Sequence, residues 1–408
     1  RPSNPAAMSD HQVRADSRPL RILASGVNFG WGSAGKLSSV LRALGSRAEL
    51  EVTGVGTELG RPVLAGLGIT RWRTVDASDT AQVDALVAEL APDLALVVLD
   101  PELATALQNT GCPVIYVDSL PFLWTEHDPL PVDVELYCAQ RTLPLPPAAE
   151  AAMGRVKNLT WVPPIVPDSA ALSRAALRAE TTAVGRDAGL AVLNLGGLHS
   201  PFTGSADDSY QRLVLEPALD ALSRAGVERV VITGNLAPDA VVPSPGSMTV
   251  EIRRCAHDEF LDLLLRAGWI MTSPGLTTLL ELAAVGRSAV LLPPQNLSQV
   301  LNGDLVEHAC SAQLRTSWPT QVLTRASIDT WHREGEEYAV ERIRWRIAAA
   351  CSKRLRDVVI REVTTDLEKG LDLLANGAPS FARIAQDFGG AERVAAEILS
   401  RWSAAAVV

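Results

Sequence analysis

The chain has 408 residues and carries 37 basic against 47 acidic side chains, a net charge of −10. Its 47% apolar and 21% charged residues are globular composition for two domains of about 180 residues each, and no apolar run approaches the roughly 20 residues of a membrane-spanning helix. No Lys/Arg stripe with interleaved aromatics offers a surface for a nucleic acid polymer, and the five cysteines (Cys112, Cys138, Cys255, Cys310, Cys351) never form a Cys-x-x-Cys pair, which argues against a disulfide framework or a zinc site and fits a reducing cytoplasm.

Residues 1–18 are polar, lack the apolar core of a signal peptide and are read as a disordered tail, with Met8 a candidate native start and residues 1–7 a candidate remnant of the expressed sequence. From Leu20 short apolar runs alternate with amphipathic stretches: Arg21–Val27, a helical pattern over Leu37–Leu44, Leu50–Val55, a helix over Thr80–Leu90, Leu94–Leu99 and Pro113–Val117. That βαβα order predicts a parallel sheet with helices on both faces over residues 19–170. The Pro-rich segment Trp161–Pro167 reads as a linker, with a boundary near residue 170. A second series follows over 171–380, with runs at Leu190–Leu195, Arg229–Thr233, Trp269–Met271 and Ala289–Leu292, and helices near Tyr210–Ala225, Glu259–Arg266 and Thr277–Val285. Residues 324–376 are charged and helix-periodic, Gly377-Ala-Pro379 interrupts them, and a last helix is expected over Phe381–Trp402 within residues 381–408.

Two segments carry candidate chemistry. After the first strand, Asn28-Phe-Gly30-Trp-Gly32-Ser33-Ala-Gly35-Lys36 contains both G-x-G-x-x-G and G-x-x-x-x-G-K. Glycines there let backbone N–H groups approach an anion, and a helix starting near Lys36 would point its positive end at the same place. Leu37 stands where a phosphate loop needs Ser or Thr for Mg²⁺, and no acid ends the second strand as a dinucleotide fold requires. A phosphate loop, a dinucleotide loop and a plain packing turn all stay open.

The second segment is Thr272-Ser273-Pro-Gly275-Leu276-Thr277-Thr-Leu-Leu-Glu281, followed by Leu292-Pro-Pro-Gln295-Asn296-Leu-Ser-Gln299-Val-Leu-Asn302. A strand ends, small residues turn, and a helix begins near Leu276. Free backbone donors at Ser273, Gly275 and Leu276, with the Thr277 hydroxyl, suit a diphosphate. Glu281, one turn onward, can accept from ribose hydroxyls, and the amides of Gln295, Asn296 and Gln299 suit a sugar. The alternative is an ordinary strand–turn–helix with Glu281 solvated.

This second segment resembles that of the GT-B glycosyltransferases, notably the bacterial lipid II-forming N-acetylglucosaminyltransferase and its relatives, whose pattern is Ser-Gly-x-x-Thr-x-x-Glu and then a loop ending Gln-x-x-Asn; here Pro274 is inserted, and Gln299 and Asn302 match the loop's end. The resemblance implies an α/β fold of two Rossmann-like domains facing across a cleft, with a C-terminal helix crossing back to the first domain. It assigns the ribose to Glu281 and, through Leu193-Asn-Leu-Gly196-Gly197-Leu-His199, the phosphates or sugar to Gly196, Gly197 and His199. It also implies that no metal or other cofactor is needed, consistent with the missing Asp-x-Asp motif. Where the relatives' first glycine loop ends Gly-Gly-His this chain has Gly35-Lys36, which suits a phosphate or the carboxylate of a uronic acid.

The opening Ser25–Leu37, with Gly60-Arg-Pro-Val-Leu64 and Pro293–Ser298, is similar to the cytosylglucuronate synthases of peptidyl-nucleoside antibiotic pathways, which join cytosine or hydroxymethylcytosine to glucuronate from UDP-glucuronate. That resemblance implies UDP-glucuronate and cytosine as small-molecule partners, with a homodimer left open, and an inverting attack by cytosine N1. Gly32 and Ser33 would lie by the acceptor. The base would come from Asp118-Ser-Leu-Pro-Phe-Leu-Trp124-Thr-Glu126-His127-Asp128, at the carboxyl edge of the first sheet: Asp118 first, His127 second, with Lys36 as a further catalytic candidate. Trp124 could stack on the pyrimidine or belong to the core, and Glu126 is an acceptor contact. His11, His257, His308 and His332 have no motif around them and read as structural or surface residues. Rival readings are a non-hydrolysing sugar-nucleotide epimerase, a silent sugar-nucleotide-binding subunit, and a P-loop phosphotransferase.

Overall fold

The computed structural model describes residues 18–26, 31–56, 60–69, 71–167, 186–197, 208–236, 242 and 245–405. Residues 1–17 of the expected tail, Asn28–Gly30 and His199 lie outside the described residues, whereas Arg18, placed in the tail, pairs with Asp93 at 2.7 Å. The first half runs β1 (Leu20–Gly26), α1 (Gly32–Gly45), β2 (Leu50–Val55), β3 (Arg71–Arg73), α2 (Thr80–Leu90), β4 (Leu94–Val98), α3 (Pro101–Asn109), β5 (Val114–Asp118), β6 (Leu136–Gln140), α4 (Pro147–Met153) and β7 (Leu159–Val162). These strands make one parallel sheet in the order β3-β2-β1-β4-β5-β6-β7. Both faces are covered, so its strands are nearly continuous apolar runs. Leu20, Ile22 and Ala24 of β1 enter one core with Leu37, Val40 and Leu44 of α1, while Leu23 enters the opposite core with Ala95, Val97 and Tyr116. Local chemistry sets the helix starts: Asp79 accepts the Gln82 N–H at 3.2 Å, and Asp100 accepts the Leu103 N–H at 3.0 Å just before Pro101.

The second half runs β8 (Asp187–Asn194), α5 (Ser209–Arg224), β9 (Arg229–Thr233), β10 (Thr249–Arg253), α6 (His257–Arg266), β11 (Ala267–Thr272), α7 (Leu276–Ala284), β12 (Val290–Leu291) and α8 (Leu297–Ala309). Its parallel sheet has the order β10-β9-β8-β11-β12, so strand order reverses at β8 as it does at β1 in the first sheet. The helix-periodic region then forms α9 (Arg325–His332), α10 (Glu336–Ala349) and α11 (Lys353–Ala375), the last burying Val359, Val363, Leu367 and Leu371 as it packs along α5. Among the described residues no helix is long and apolar enough to cross a membrane.

The chain passes between the halves at 163–167 and returns at 381–390. Part of the expected linker is strand: Leu159–Val162 form the edge strand β7, whose pairing with β6 holds them in the first sheet. The expected last helix starts later, too. Phe381–Arg383 make a single 3-10 turn, and the continuous helix is α12 (Gly390–Ala405). Between them Gly389 bridges Ile165 in antiparallel fashion, and the Gly390 N–H donates to Pro164 O at 3.1 Å, which holds that stretch out of a helix. From there α12 places Ala391, Val394, Ala395 and Ile398 in the core that α1 builds on the first sheet. Ile398 is 1% exposed, so Ile398→Ala should destabilise the protein by about 2–5 kcal/mol, read as a lower midpoint in urea unfolding.

Candidate functional site

Loops at the carboxyl ends of both sheets close on one cavity of about 150 Å³, at the switch points where open α/β sheets hold ligands. The first half contributes Gly32, Ser33 and Gly35 after β1, Leu99 after β4, and Ser119 and Leu120 after β5. Leu99 sits at φ +59, a strained conformation for a branched side chain. From the second half come Asn194, Gly196 and Gly197 after β8, Cys255 and His257 after β10, Ser273 and Gly275–Thr278 after β11, Glu281, and Asn296, Ser298, Gln299 and Asn302 after β12.

The second half's loops are held rigidly. Asn194 Oδ1 accepts from the Gly196 N–H at 3.0 Å and from Thr233 Oγ1 at 3.1 Å, while its Nδ2 donates to Thr272 Oγ1 at 2.9 Å, which locks the ends of β8, β9 and β11 together. Gly196 turns through φ +66, a conformation glycine supplies without strain. Neither α7 nor α1 has a side-chain cap at its N-terminus, and both N-termini open on the cavity. Two positive helix ends therefore converge there, although the Ser273 and Gly275 N–H groups, expected to be free, are engaged: they donate to Asn194 O at 2.8 Å and to Ser273 O at 2.7 Å. The next loop is stitched by Asn296, whose side chain caps α8 at the Gln299 N–H, and by Asn302, whose Nδ2 donates to Pro274 O at 2.9 Å. Asn302 Oδ1 is buried without a hydrogen-bond partner among the described residues. Gln295 is turned away: its Nε2 donates to Leu195 O at 2.7 Å and it does not line the cavity.

The first-half glycines have a different role from either phosphate-binding pattern. α1 begins at Gly32, so Gly35 and Lys36 are inside it. Gly35 faces α7 so closely that a Cβ there would lie 3.0 Å from Thr277 Cγ2, and Thr277 Oγ1 donates to Gly32 O at 3.1 Å. Lys36, expected to meet substrate, is fully buried behind the helix, where its Nζ donates to Ile165 O in the crossover. Burial lowers its pKa to about 7, against a partial opposing pull from Glu281. It does not reach the cavity, which removes it as a sugar contact in this conformation.

The Asp118–Asp128 loop is also turned from the cavity, apart from Ser119 and Leu120. Asp118 is buried and accepts from Trp124 Nε1 at 2.6 Å, Tyr137 OH at 2.7 Å and the Leu120 N–H at 2.9 Å. Desolvation raises its pKa to about 6 even against those three donors. Its carboxylate is interior structure, and the half-buried Trp124 ring packs against the cores beside it. Phe122 and Leu123 join the core of the second half, Leu123 O meets His332 Nε2 at 2.7 Å, and Asp128 Oδ1 accepts the Glu336 N–H at 3.1 Å. The loop is thus a contact with α9 and α10. Glu126 and His127 point outward, 86% and 54% exposed, and do not line the cavity.

The residue that sequence reasoning passed over is His257. It is buried at the first position of α6, with Nε2 2.6 Å from Glu281 Oε1 and Nδ1 3.1 Å from Ser38 Oγ on α1. No motif surrounds it; it follows β10 by four residues, a strand that the apolar runs of the sequence do not mark, so its place at the same edge as Ser273 emerges only in the fold.

Lys36 generates a pH prediction. Its folded pKa lies below its ordinary 10.5, so between about 7 and 10.5 the unfolded chain binds a proton that the folded one does not, and stability rises with pH across that window. Lys36→Met should be more stable than wild type at pH 7, with the gain shrinking towards pH 10 in urea midpoints. Equal offsets at both pH values would show that Lys36 does not titrate there.

No family model and no curated protein matches the sequence. Solved structures match the fold. UGT2 of Phytolacca americana, complexed with UDP-2fluoro-glucose and pterostilbene, is 14% identical over 95% of this chain and 100% of its own, with a TM-score of 0.50. The glycotransferase of kitacinnamycin is 16% identical over 94% and 99%, also with a TM-score of 0.50. An Arabidopsis thaliana UGT complexed with UDP-L-rhamnose is 13% identical over 93% and 99%, again at 0.50. Two parallel sheets with helices on their faces, arranged as two Rossmann-like halves, give this chain the GT-B fold.

Proposed function

We propose that the protein is a glycosyltransferase that uses a UDP sugar. The observation that carries this reading is the convergence of two uncapped helix N-termini on the cavity, with Glu281 one turn into α7 and the side chains of Asn296, Gln299 and Asn302 beside it. A diphosphate between the helix ends would accept from first-turn amides there, and the same donors would take up the charge that develops on departing UDP. Glu281 would accept from the ribose hydroxyls, and the unpartnered Asn302 Oδ1 from a sugar hydroxyl. Gly196, Gly197, Ser273 and Thr277 would surround the phosphates. The helix ends would supply positive potential there without a cofactor. The structural neighbours whose names mention UDP sugars support the reading at the level of fold.

The narrower form of the proposal is transfer of glucuronate from UDP-glucuronate to N1 of cytosine or hydroxymethylcytosine with inversion, and it draws on the sequence resemblance. The acceptor would sit on the first-half wall formed by Val63, Leu99, Ser119 and Leu120, beside Gly32 and Ser33.

One observation favours a second reading, a sugar-nucleotide-binding subunit without turnover. Among the described residues the ionisable side chains lining the cavity are Cys255, His257 and Glu281. Burial pushes the Cys255 thiol up to about 11, and the other two hold each other. Incubation with UDP-glucuronate and cytosine separates the readings: UDP released only when cytosine is present is the expected result. Release with a different acceptor keeps the transferase and discards cytosine, whereas tight UDP binding with no release across an acceptor panel favours the silent subunit. Glu281→Ala should weaken UDP binding about 10- to 100-fold in calorimetry, the scale of losing hydrogen bonds to a charged group. Unchanged affinity would remove the ribose assignment.

A further inference from the structure

Two of the groups assigned to the donor are already engaged by protein. Thr277 Oγ1 donates across the cleft to Gly32 O, and Glu281 Oε1 lies 2.6 Å from His257 Nε2. An ionised carboxylate only accepts, so Nε2 carries the hydrogen. On a neutral ring Nδ1 then accepts from the Ser38 hydroxyl 3.1 Å away, whose oxygen faces Arg42 Nε at 3.5 Å. One turn along α1, Arg42 also pairs at 2.9 Å with Asp258, the neighbour of His257. Ser38 is fully buried, and His257 and Glu281 are 4% and 1% exposed. The cavity, about 150 Å³, is smaller than the roughly 300–1,000 Å³ of small-molecule sites.

We infer that His257 is a positioning residue that ties the donor carboxylate Glu281 to Ser38 of the first half, so that nucleotide binding and withdrawal of α1 from α6 and α7 are one equilibrium. The inference rests on the reading of Glu281 as the ribose-binding group. In the closed arrangement the carboxylate and the Thr277 hydroxyl are both taken, and the cavity between them is small. Nucleotide entry exchanges the His257–Glu281 bond for ribose hydroxyls and the Thr277–Gly32 bond for phosphate oxygens. Apparent affinity is then the intrinsic affinity scaled by the fraction of molecules with α1 withdrawn.

The test is calorimetric titration of the full chain with UDP, paired with small-angle scattering of the same proteins without nucleotide. Ser38→Ala removes the partner of Nδ1 and touches no donor group. It should bind UDP about threefold to tenfold more tightly and show a larger radius of gyration, since a buried ring nitrogen left unsatisfied disfavours closure. On a His257→Ala background Ser38→Ala should change neither reading further, which a purely structural defect at Ser38 would not do. Asp258→Asn, at the exposed rim, should move both the same way by a smaller factor. Unchanged or weaker affinity of Ser38→Ala, with an unchanged radius, overturns the latch. Glu281→Gln added to Ser38→Ala, where the latch is already loosened, distinguishes the two ideas: if the double variant binds UDP as tightly as Ser38→Ala the ribose reading fails, while an expanded Ser38→Ala protein still upholds the tie between the halves.

Discussion

The structure depends on how closely α1 can lie against the N-termini of α6 and α7. Its contacting face is Gly32, Gly35, Ser38 and Arg42, so α1 itself presents nothing larger than a hydroxyl to those helices until its last turn. That closeness brings two helix N-termini to one cavity. Positive helix ends at short range repel in a medium that screens poorly, and negative charge relieves them. Glu281 is the carboxylate placed there, and a diphosphate would supply more. The small residues of α1, the uncapped helix starts and the buried Ser38–His257–Glu281 chain are therefore one arrangement seen at three scales.

What was legible in the sequence was local. The turn Thr272–Gly275, the start of α7 at Leu276 and the position of Glu281 follow from residues within ten positions of one another, and periodicity marks the helix. Asn296 is both a sequence-evident amide and a helix cap, again a local matter. The parallel α/β class was equally readable, because sheets covered on both faces produce apolar strand runs between amphipathic helices.

What was illegible involved partners far along the chain. Lys36 looks like a ligand-binding lysine because it follows a glycine pattern, yet its partner, Ile165 O, is 129 positions away, and only packing reveals that the helix turns it inward. The glycines themselves fit a helix–helix approach as well as they fit a phosphate, since both need a missing side chain. Asp118 satisfied every local criterion for a base at a sheet edge; Trp124 and Tyr137 then surround it. His127 and Glu126 lost their expected role for a similar reason, as α9 and α10 take the inner side of their loop. His257 is the opposite case, a residue without a motif made central by Ser38, 219 positions earlier.

The return of the chain at 381–390 has a consequence for assembly. Ala391, Val394, Ala395 and Ile398 complete the core against α1, but they are synthesised after the whole second half. Until they emerge from the ribosome, Leu37, Val40 and Leu44 lack their covering helix, while the second sheet already has α5, α6 and α7. The order of synthesis is thus the reverse of the order of completion: the half made first is finished last, and its exposed apolar face is the surface a chaperone would hold.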